Sequence, residues 1–127
     1  MRVLVCGGRD YSDTETLFST LDKLHKKNPI SCIISGAASG ADAIAISWAK
    51  DVGIGYEAYP AQWNKHGKSA GPIRNQQMID EGKPDYCVAF PGGRGTADMV
   101  TRCRVQNILV IIVPPRPKPP RQDLGWD

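Results

Sequence analysis

The sequence predicts an α/β protein, a single Rossmann-like three-layer domain in which a central, mostly parallel five-stranded sheet has helices on both faces. Two observations predict this fold class. Short runs rich in β-branched residues alternate with segments of helical periodicity, and each strand-like run leads into a glycine-containing or irregular loop. The length of 127 residues suits one domain and leaves little room for a second.

Five segments have the composition of strands, and helix-periodic segments separate them. The strands are expected at Arg2 to Cys6, Ser31 to Ser35, Gly55 to Tyr59, Tyr86 to Phe90 and Ile108 to Val113. The helices are expected at about Asp13 to Lys27, Gly40 to Val52, Pro72 to Glu81 and Thr96 to Val105. In the first helix Leu17, Leu21 and Leu24 repeat at helical spacing, and Asn28-Pro29 ends it. Pro72 suits the first turn of the third helix.

The loops after the first, second and fourth strands are expected to share one rim, because the ligand crevice of an open parallel sheet lies at the carboxyl ends of its strands. These loops are Gly7 to Asp10, Gly36 to Gly40 and Pro91 to Gly95. The longest connection, Pro60 to Gly71, is expected to cover that rim as a lid.

Composition limits the classes of partner. Sixteen Lys and Arg against thirteen Asp and Glu give a net charge of +3, too slight to indicate nucleic acid, whereas a small anion suits it. The basic residues near the expected site come from separate loops, which fits one compact anion; they are Arg9, Lys65, Lys68, Arg74 and Arg94. Two histidines and scattered cysteines predict no metal site.

Cysteine spacing and the chain's start indicate a cytoplasmic protein. The four cysteines form no CxxC pair and are interpreted as reduced thiols in or near the core. The chain begins directly with a strand, and no run approaches the roughly 18 apolar residues of a membrane span.

The composition changes after Val113. The domain is therefore expected to span residues 1–113, and residues 114–127 to form a proline-rich basic tail that is extended or disordered. PxxP spacing would allow recognition by a partner. The alternative is a solvated terminus or a strap along the domain surface.

The strongest local signal is a strand that leads through three glycines into a helix. Glycine lets the backbone approach an anion closely, and the helix adds unpaired N–H groups and the positive end of its dipole. The expected ligand-binding residues here are Pro91, Gly92, Gly93, Arg94, Gly95 and Thr96. The alternative is a tight turn that only joins strand to helix, with Thr96 as an ordinary cap.

Two further glycine loops and the lid supply the other candidates. The second glycine loop runs from Ser35 to Asp42, and its glycines, Gly36 and Gly40, would let a ligand lie across it. Asp42 either hydrogen-bonds a ribose hydroxyl or interacts favourably with the helix dipole. The first loop offers Gly7, Gly8 and Arg9 for phosphate, with Asp10 beside them and Asp13 as a cap. In the lid, Trp63 would stack on a base or hold the loop in place, and His66 is interpreted as a surface residue. Lys68, Arg74 and Asn75 are expected ligand contacts.

Four ordered motifs resemble the YspA/YpsA-related branch of the SLOG superfamily, which is named after the Smf/DprA proteins and the LOG phosphoribohydrolases. They are Gly7-Gly8-Arg9-Asp10-Tyr11, Ser35 to Asp42, Gly67 to Asn75 and Phe90 to Val100. The resemblance implies a Rossmann-like fold and a ligand related to a nucleotide, NAD-like, ADP-ribose-like or a nucleoside monophosphate, for a sensor or processing protein. It also implies a homodimer, and no required cofactor is expected.

One position departs from the LOG enzymes, which cleave the N-glycosidic bond of nucleoside monophosphates with an arginine and a glutamate. Arg74 resembles that arginine, but Met99 stands at the glutamate position. A thioether cannot stabilise an oxocarbenium-like transition state. Nucleotide binding is therefore the leading hypothesis. The alternative is N-glycosidic hydrolysis with Arg74 and either Asp98 or Asp10 as catalytic residues, and DprA-like binding of single-stranded DNA is a third.

Overall fold

A computed structural model of the chain describes residues 1–116 and has the expected α/β architecture. Its strands are β1 (Arg2–Cys6), β2 (Cys32–Ser35), β3 (Gly55–Ala58), β4 (Tyr86–Ala89) and β5 (Leu109–Ile112). Its helices are α1 (Thr14–Lys27), α2 (Ala41–Val52), α3 (Trp63–His66), α4 (Ala70–Gly82) and α5 (Arg94–Val105), with a 3-10 turn at Gly67–Ser69.

All five strands are parallel, in the order β3-β2-β1-β4-β5. Val5 of β1 is paired with Ser35 on one side and with Val88 on the other, so β1 is central. The chain builds outward from β1 to β3 and then crosses back to β4. The order therefore reverses between β1 and β4, which is where open α/β sheets bind ligands.

Two apolar layers hold the helices on the sheet, because alternate residues of a strand point to opposite faces. Val3 and Val5 face α1 and α2, where Leu17, Leu21 and Trp48 are fully buried. On the other face Leu4 packs with residues of α4 and α5, among them Met78, Met99 and Cys103. The indole N–H of Trp48 donates to Asp22 at 2.9 Å, so this buried ring leaves no polar atom unsatisfied.

The predicted boundaries agree with the structure to within two residues, and one feature was missed. The lid contains a single helical turn, α3, and a 3-10 turn, and α4 begins at Ala70, two residues before Pro72. Such short turns have no apolar period that would reveal them. Asp13 caps α1 as expected, with Oδ1 accepting the Thr16 amide at 3.1 Å.

Two further expectations, on the cysteines and on membrane-spanning helices, can be compared with the described residues. All four cysteines are free and buried, as predicted. No helix within residues 1–116 is long and apolar enough to cross a membrane. Most of the proline-rich tail lies outside the described residues.

Candidate functional site

The loops after β1, β2 and β4 line one cleft at the carboxyl ends of the strands, together with the lid and α4. Its volume is about 1240 Å³. The expected ligand-binding residues that line it are Gly7, Gly8, Arg9, Gly36, Asp42, Trp63, Lys68, Arg74, Asn75, Pro91, Gly92, Gly93, Arg94, Gly95 and Thr96. Asp10, Asp98 and Met99 line it as well, whereas Lys65 and His66 do not.

Gly40 is not among the residues that line the cleft. Its φ is +75°, and a β-carbon there would overlap the carbonyl oxygen of Gly8 and lie 2.5 Å from that of Arg9. The adjacent Ala41 amide donates to the Gly8 carbonyl at 3.2 Å. Gly40 therefore allows the start of α2 to pack against the first loop, and the sequence-based expectation that it contacts a ligand has no geometric support.

The glycine turn presents free peptide N–H groups. Helix α5 begins at Arg94, Gly93 is its N-cap, and its first helical bond runs from the Ala97 amide to the Gly93 carbonyl at 3.0 Å. Among the hydrogen bonds within residues 1–116, none uses an amide of residues 92–96. Unpaired N–H groups at a helix start are donors that can bind an anion.

Thr96 does not cap α5, which corrects the alternative drawn from the sequence. It is the third residue of the helix, and its hydroxyl occupies the space that a β-carbon on Gly92 would fill. The same β-carbon would lie 2.7 Å from the Gly8 amide nitrogen. Gly92 therefore keeps the turn in close contact with the first loop, where the Gly8 amide donates to the Pro91 carbonyl at 2.8 Å.

The Arg74 guanidinium lines the same cleft and is held by three acceptors. Its Nη1 donates to the Gly36 carbonyl at 2.6 Å and to the Tyr59 carbonyl at 3.5 Å, and its Nε donates to Asn75 Oδ1 at 3.1 Å. Burial lowers the pKa of Arg74 below its ordinary value, and the Asp42 carboxyl opposes that shift. No hydrogen bond within residues 1–116 uses Nη2. Arg74 is thus a rigidly held cation with donors to spare.

Asp42 places a buried carboxyl in the same cleft. Its side chain is at the start of α2, and Oδ2 accepts the Ala38 amide at 3.2 Å. Burial raises its pKa from 3.8 to about 6, against the opposing influence of the Ala38 amide, Arg74 and Arg9. A group of this kind accepts a hydroxyl hydrogen when ionised and donates one when protonated.

Asp98 lies beside the turn, but two neighbours engage its carboxylate. Oδ2 accepts from Asn75 Nδ2 at 3.0 Å and from Arg102 Nε at 2.8 Å. Burial opposes ionisation, yet these hydrogen bonds outweigh it and hold the pKa of Asp98 below its ordinary value. Asn75 also donates to the Gly95 carbonyl at 3.2 Å. Asp98 therefore orients Asn75 against the turn. The role of Arg102 could not be predicted from the sequence, because it depends on the packing of α4 against α5.

The mouth of the cleft carries an aromatic ring under a cation. The Arg9 guanidinium carbon lies 5.3 Å from the centroid of the Trp63 ring, which is 46% exposed. Arg9 therefore stacks at the lid, a contact that the sequence did not predict. Pro115 and Arg116 also line the cleft. They belong to the segment that was expected to be a solvated tail or a surface strap. No group of three His, Cys, Asp or Glu side chains in the described part of the chain is arranged to hold a metal ion.

Two comparisons with known proteins identify the family of the chain. The model of the YspA, cpYpsA-related SLOG family matches residues 1–66, which include the first two glycine loops. The Gene 61 protein of Mycobacterium phage D29 is 37% identical over 118 residues, covering 87% of this chain and 94% of that relative. The chain belongs to the YspA, cpYpsA-related SLOG family.

Proposed function

We propose that the protein binds a nucleotide or a nucleotide-derived ligand and acts as a sensor or processing protein, with a phosphate of the ligand held at residues 92–96. One observation carries this proposal: the free peptide N–H groups of the turn lie in the same cleft as the fixed guanidinium of Arg74. Preorganised N–H donors and a cation with unused donors are the groups that bind phosphate oxygens.

The neighbouring side chains suit the other parts of a nucleotide. Asp42 offers a carboxyl for ribose hydroxyls. The exposed Trp63 ring offers a face for a base, which would replace the Arg9 guanidinium in the stack. In this arrangement Arg9 is released to pair with a phosphate, so base binding and charge pairing support each other.

The cleft is large enough for every member of the expected ligand class. Cavities that bind drug-sized molecules measure about 300 to 1,000 Å³. The cleft here, at about 1240 Å³, has room for an ADP-ribose-like or NAD-like molecule as well as for a nucleoside monophosphate.

N-glycosidic hydrolysis is a second candidate, supported by Asp42. Its pKa of about 6 leaves part of the carboxyl protonated near neutral pH, as a general acid requires. The LOG-type arrangement has less support here, because Met99 replaces the glutamate and Asp98 is engaged by Asn75 and Arg102.

Two experiments test the proposal. Mass spectrometry of the denatured protein should reveal a co-purified phosphate-bearing nucleoside derivative. Calorimetric titration with AMP, ADP, ADP-ribose and NAD⁺ should give binding to at least one. Arg74→Gln should then weaken that binding by about 10- to 100-fold, since it removes charge-assisted hydrogen bonds.

Arg104→Gln is the matched control, because it removes the same charge from an exposed position of α5 outside the cleft. Its affinity should stay within about twofold of wild type. Failure of all four nucleotides to bind, with no co-purified ligand, would contradict the proposal. Release of free base from any of them would instead favour the hydrolase.

A further inference from the structure

The last described residues, Val113–Arg116, form a strap that runs from the end of β5 to the start of α1. The Val113 amide donates to the Ala89 carbonyl at 2.9 Å, which continues the pairing of β5 with β4. Two prolines follow, and proline has a fixed φ and no N–H. Arg116 then reaches α1, where its Nη2 donates to Asp13 Oδ1 at 2.9 Å and to Thr16 Oγ1 at 3.0 Å.

The strap borders a part of the cleft that also carries carboxylates. Asp10 and Asp13 both line the cleft, and Glu15 Oε2 lies 3.6 Å from Arg116 Nη2. Without a cation these groups would repel a phosphate-bearing ligand. Arg116 forms ion pairs with Asp13 and Glu15 and also lines the cleft itself, so it changes the charge that a ligand meets at this wall.

Arg116 keeps donors for a ligand. A guanidinium has five N–H groups, and the hydrogen bonds within residues 1–116 use only those on Nη2. The Arg116 side chain is 52% exposed, so its pairing with Asp13 adds little to folding stability by itself. The contact therefore changes the charge of the cleft wall more than it changes the stability of the fold.

We propose that the strap is a wall of the ligand cleft and that Arg116 is a specificity-determining residue, which allows an anionic ligand to bind beside Asp10 and Asp13. The inference rests on the proposed function. Linkage adds a consequence: if docking of the strap strengthens anion binding, a bound anion stabilises the docked strap to the same extent.

The test is titration of the full-length chain, at low and at high salt, with whichever of AMP, ADP, ADP-ribose and NAD⁺ binds the wild type most tightly. Arg116→Gln should weaken binding about three- to tenfold at low salt and less at high salt, because salt screens exposed charges. Arg104→Gln, with the same loss of charge away from the cleft, should change affinity less than about twofold. Adding Asp13→Asn to Arg116→Gln should restore most of the loss, since asparagine still caps α1 but carries no charge.

The outcomes separate the two proposals. Wild-type binding with Arg116→Gln unchanged at low salt overturns the strap proposal and leaves the proposed function standing. Equal losses in Arg116→Gln and Arg104→Gln also overturn it, because net charge alone would then account for the effect. A wild-type chain that binds none of AMP, ADP, ADP-ribose and NAD⁺ overturns the proposed function, and the ligand role of Arg116 falls with it.

Discussion

Asp42 and Arg74 approach each other through the space left by the missing side chain of Gly36. A β-carbon at that position would lie 2.5 Å from Arg74 Nη1 and 2.8 Å from Asp42 Oδ2. The Gly36 carbonyl also accepts from the same Nη1 at 2.6 Å. A carboxyl and a guanidinium from different helices therefore converge on one glycine, and this glycine sets the position of both.

Gly36→Ala should displace the Arg74 guanidinium without unfolding the protein. The new methyl group collides with the end of a flexible side chain, so Arg74 moves while the backbone stays. We expect a loss of about 1–2 kcal/mol in the free energy of unfolding, typical of a crowded site. Nucleotide affinity should fall at least about tenfold, since Arg74 loses its fixed geometry. Urea denaturation and calorimetric titration measure the two effects.

Gly55→Ala is the control for that substitution. A β-carbon on Gly55 would meet only the Ser31 carbonyl oxygen, at 3.9 Å, in strand β3 away from the cleft. It should leave affinity unchanged. Equal affinity for Gly36→Ala and wild type would show that the position of Arg74 is not important for binding.

Asp42 should make folding stability depend on pH with a sign opposite to that of most carboxyls. Its folded pKa of about 6 exceeds the ordinary 3.8, so between these values the folded state holds a proton that the unfolded state releases. Stability from this group is present below about pH 4 and is lost as pH rises to about 6. As the pH rises from 4 to 7, the free energy of unfolding of Asp42→Asn should therefore increase by about 2–3 kcal/mol relative to that of the wild type.

The measurement is the difference in free energy of unfolding between the two proteins at several pH values. Taking the difference cancels titrations common to both. A flat difference would mean that the Asp42 carboxyl titrates at its ordinary pKa.

Gly95→Ala should stabilise the protein and weaken ligand binding. Gly95 is in the first turn of α5, and a β-carbon there would meet nothing within 4 Å. Alanine in a helix gains about 0.4–1 kcal/mol over glycine. Gly95 lines the cleft, however, so we expect the added methyl group to obstruct a phosphate and to lower affinity about tenfold or more. Thermal unfolding with and without nucleotide tests both parts, and unchanged affinity in a stabilised variant would argue against a ligand at the turn.

We expect Asp98 to affect ligand affinity indirectly, by positioning Asn75. Asp98→Asn weakens the contacts with Arg102 and Asn75, so we expect affinity to fall about three- to tenfold. Asn75→Ala should have a similar effect, and the double variant should be no worse than the stronger single one, because residues of one network are not additive. Additive losses would mean that Asp98 contacts the ligand independently.

Periodicity and turn chemistry were sufficient to predict the sheet, its four long helices and the common rim of three loops. The burial of Val3, Val5 and Leu17 follows from the strand alternation and the helical spacing of apolar residues in the sequence. The short helix α3 could not be predicted in this way, and neither could the side-chain partners within the site. The contact of Arg102 with Asp98 forms within one helix, but its relevance depends on Asn75 of the neighbouring helix.

The sequence by itself determined the fold class and which loops meet at the cleft, because local periods and glycine positions are properties of neighbouring residues. The tertiary structure alone decided what each side chain does there. It placed Gly40 against the first loop, Arg9 on Trp63 and Arg116 on Asp13. Burial and charge at a site are sums over groups that are distant in sequence, so they exist only once the chain has folded.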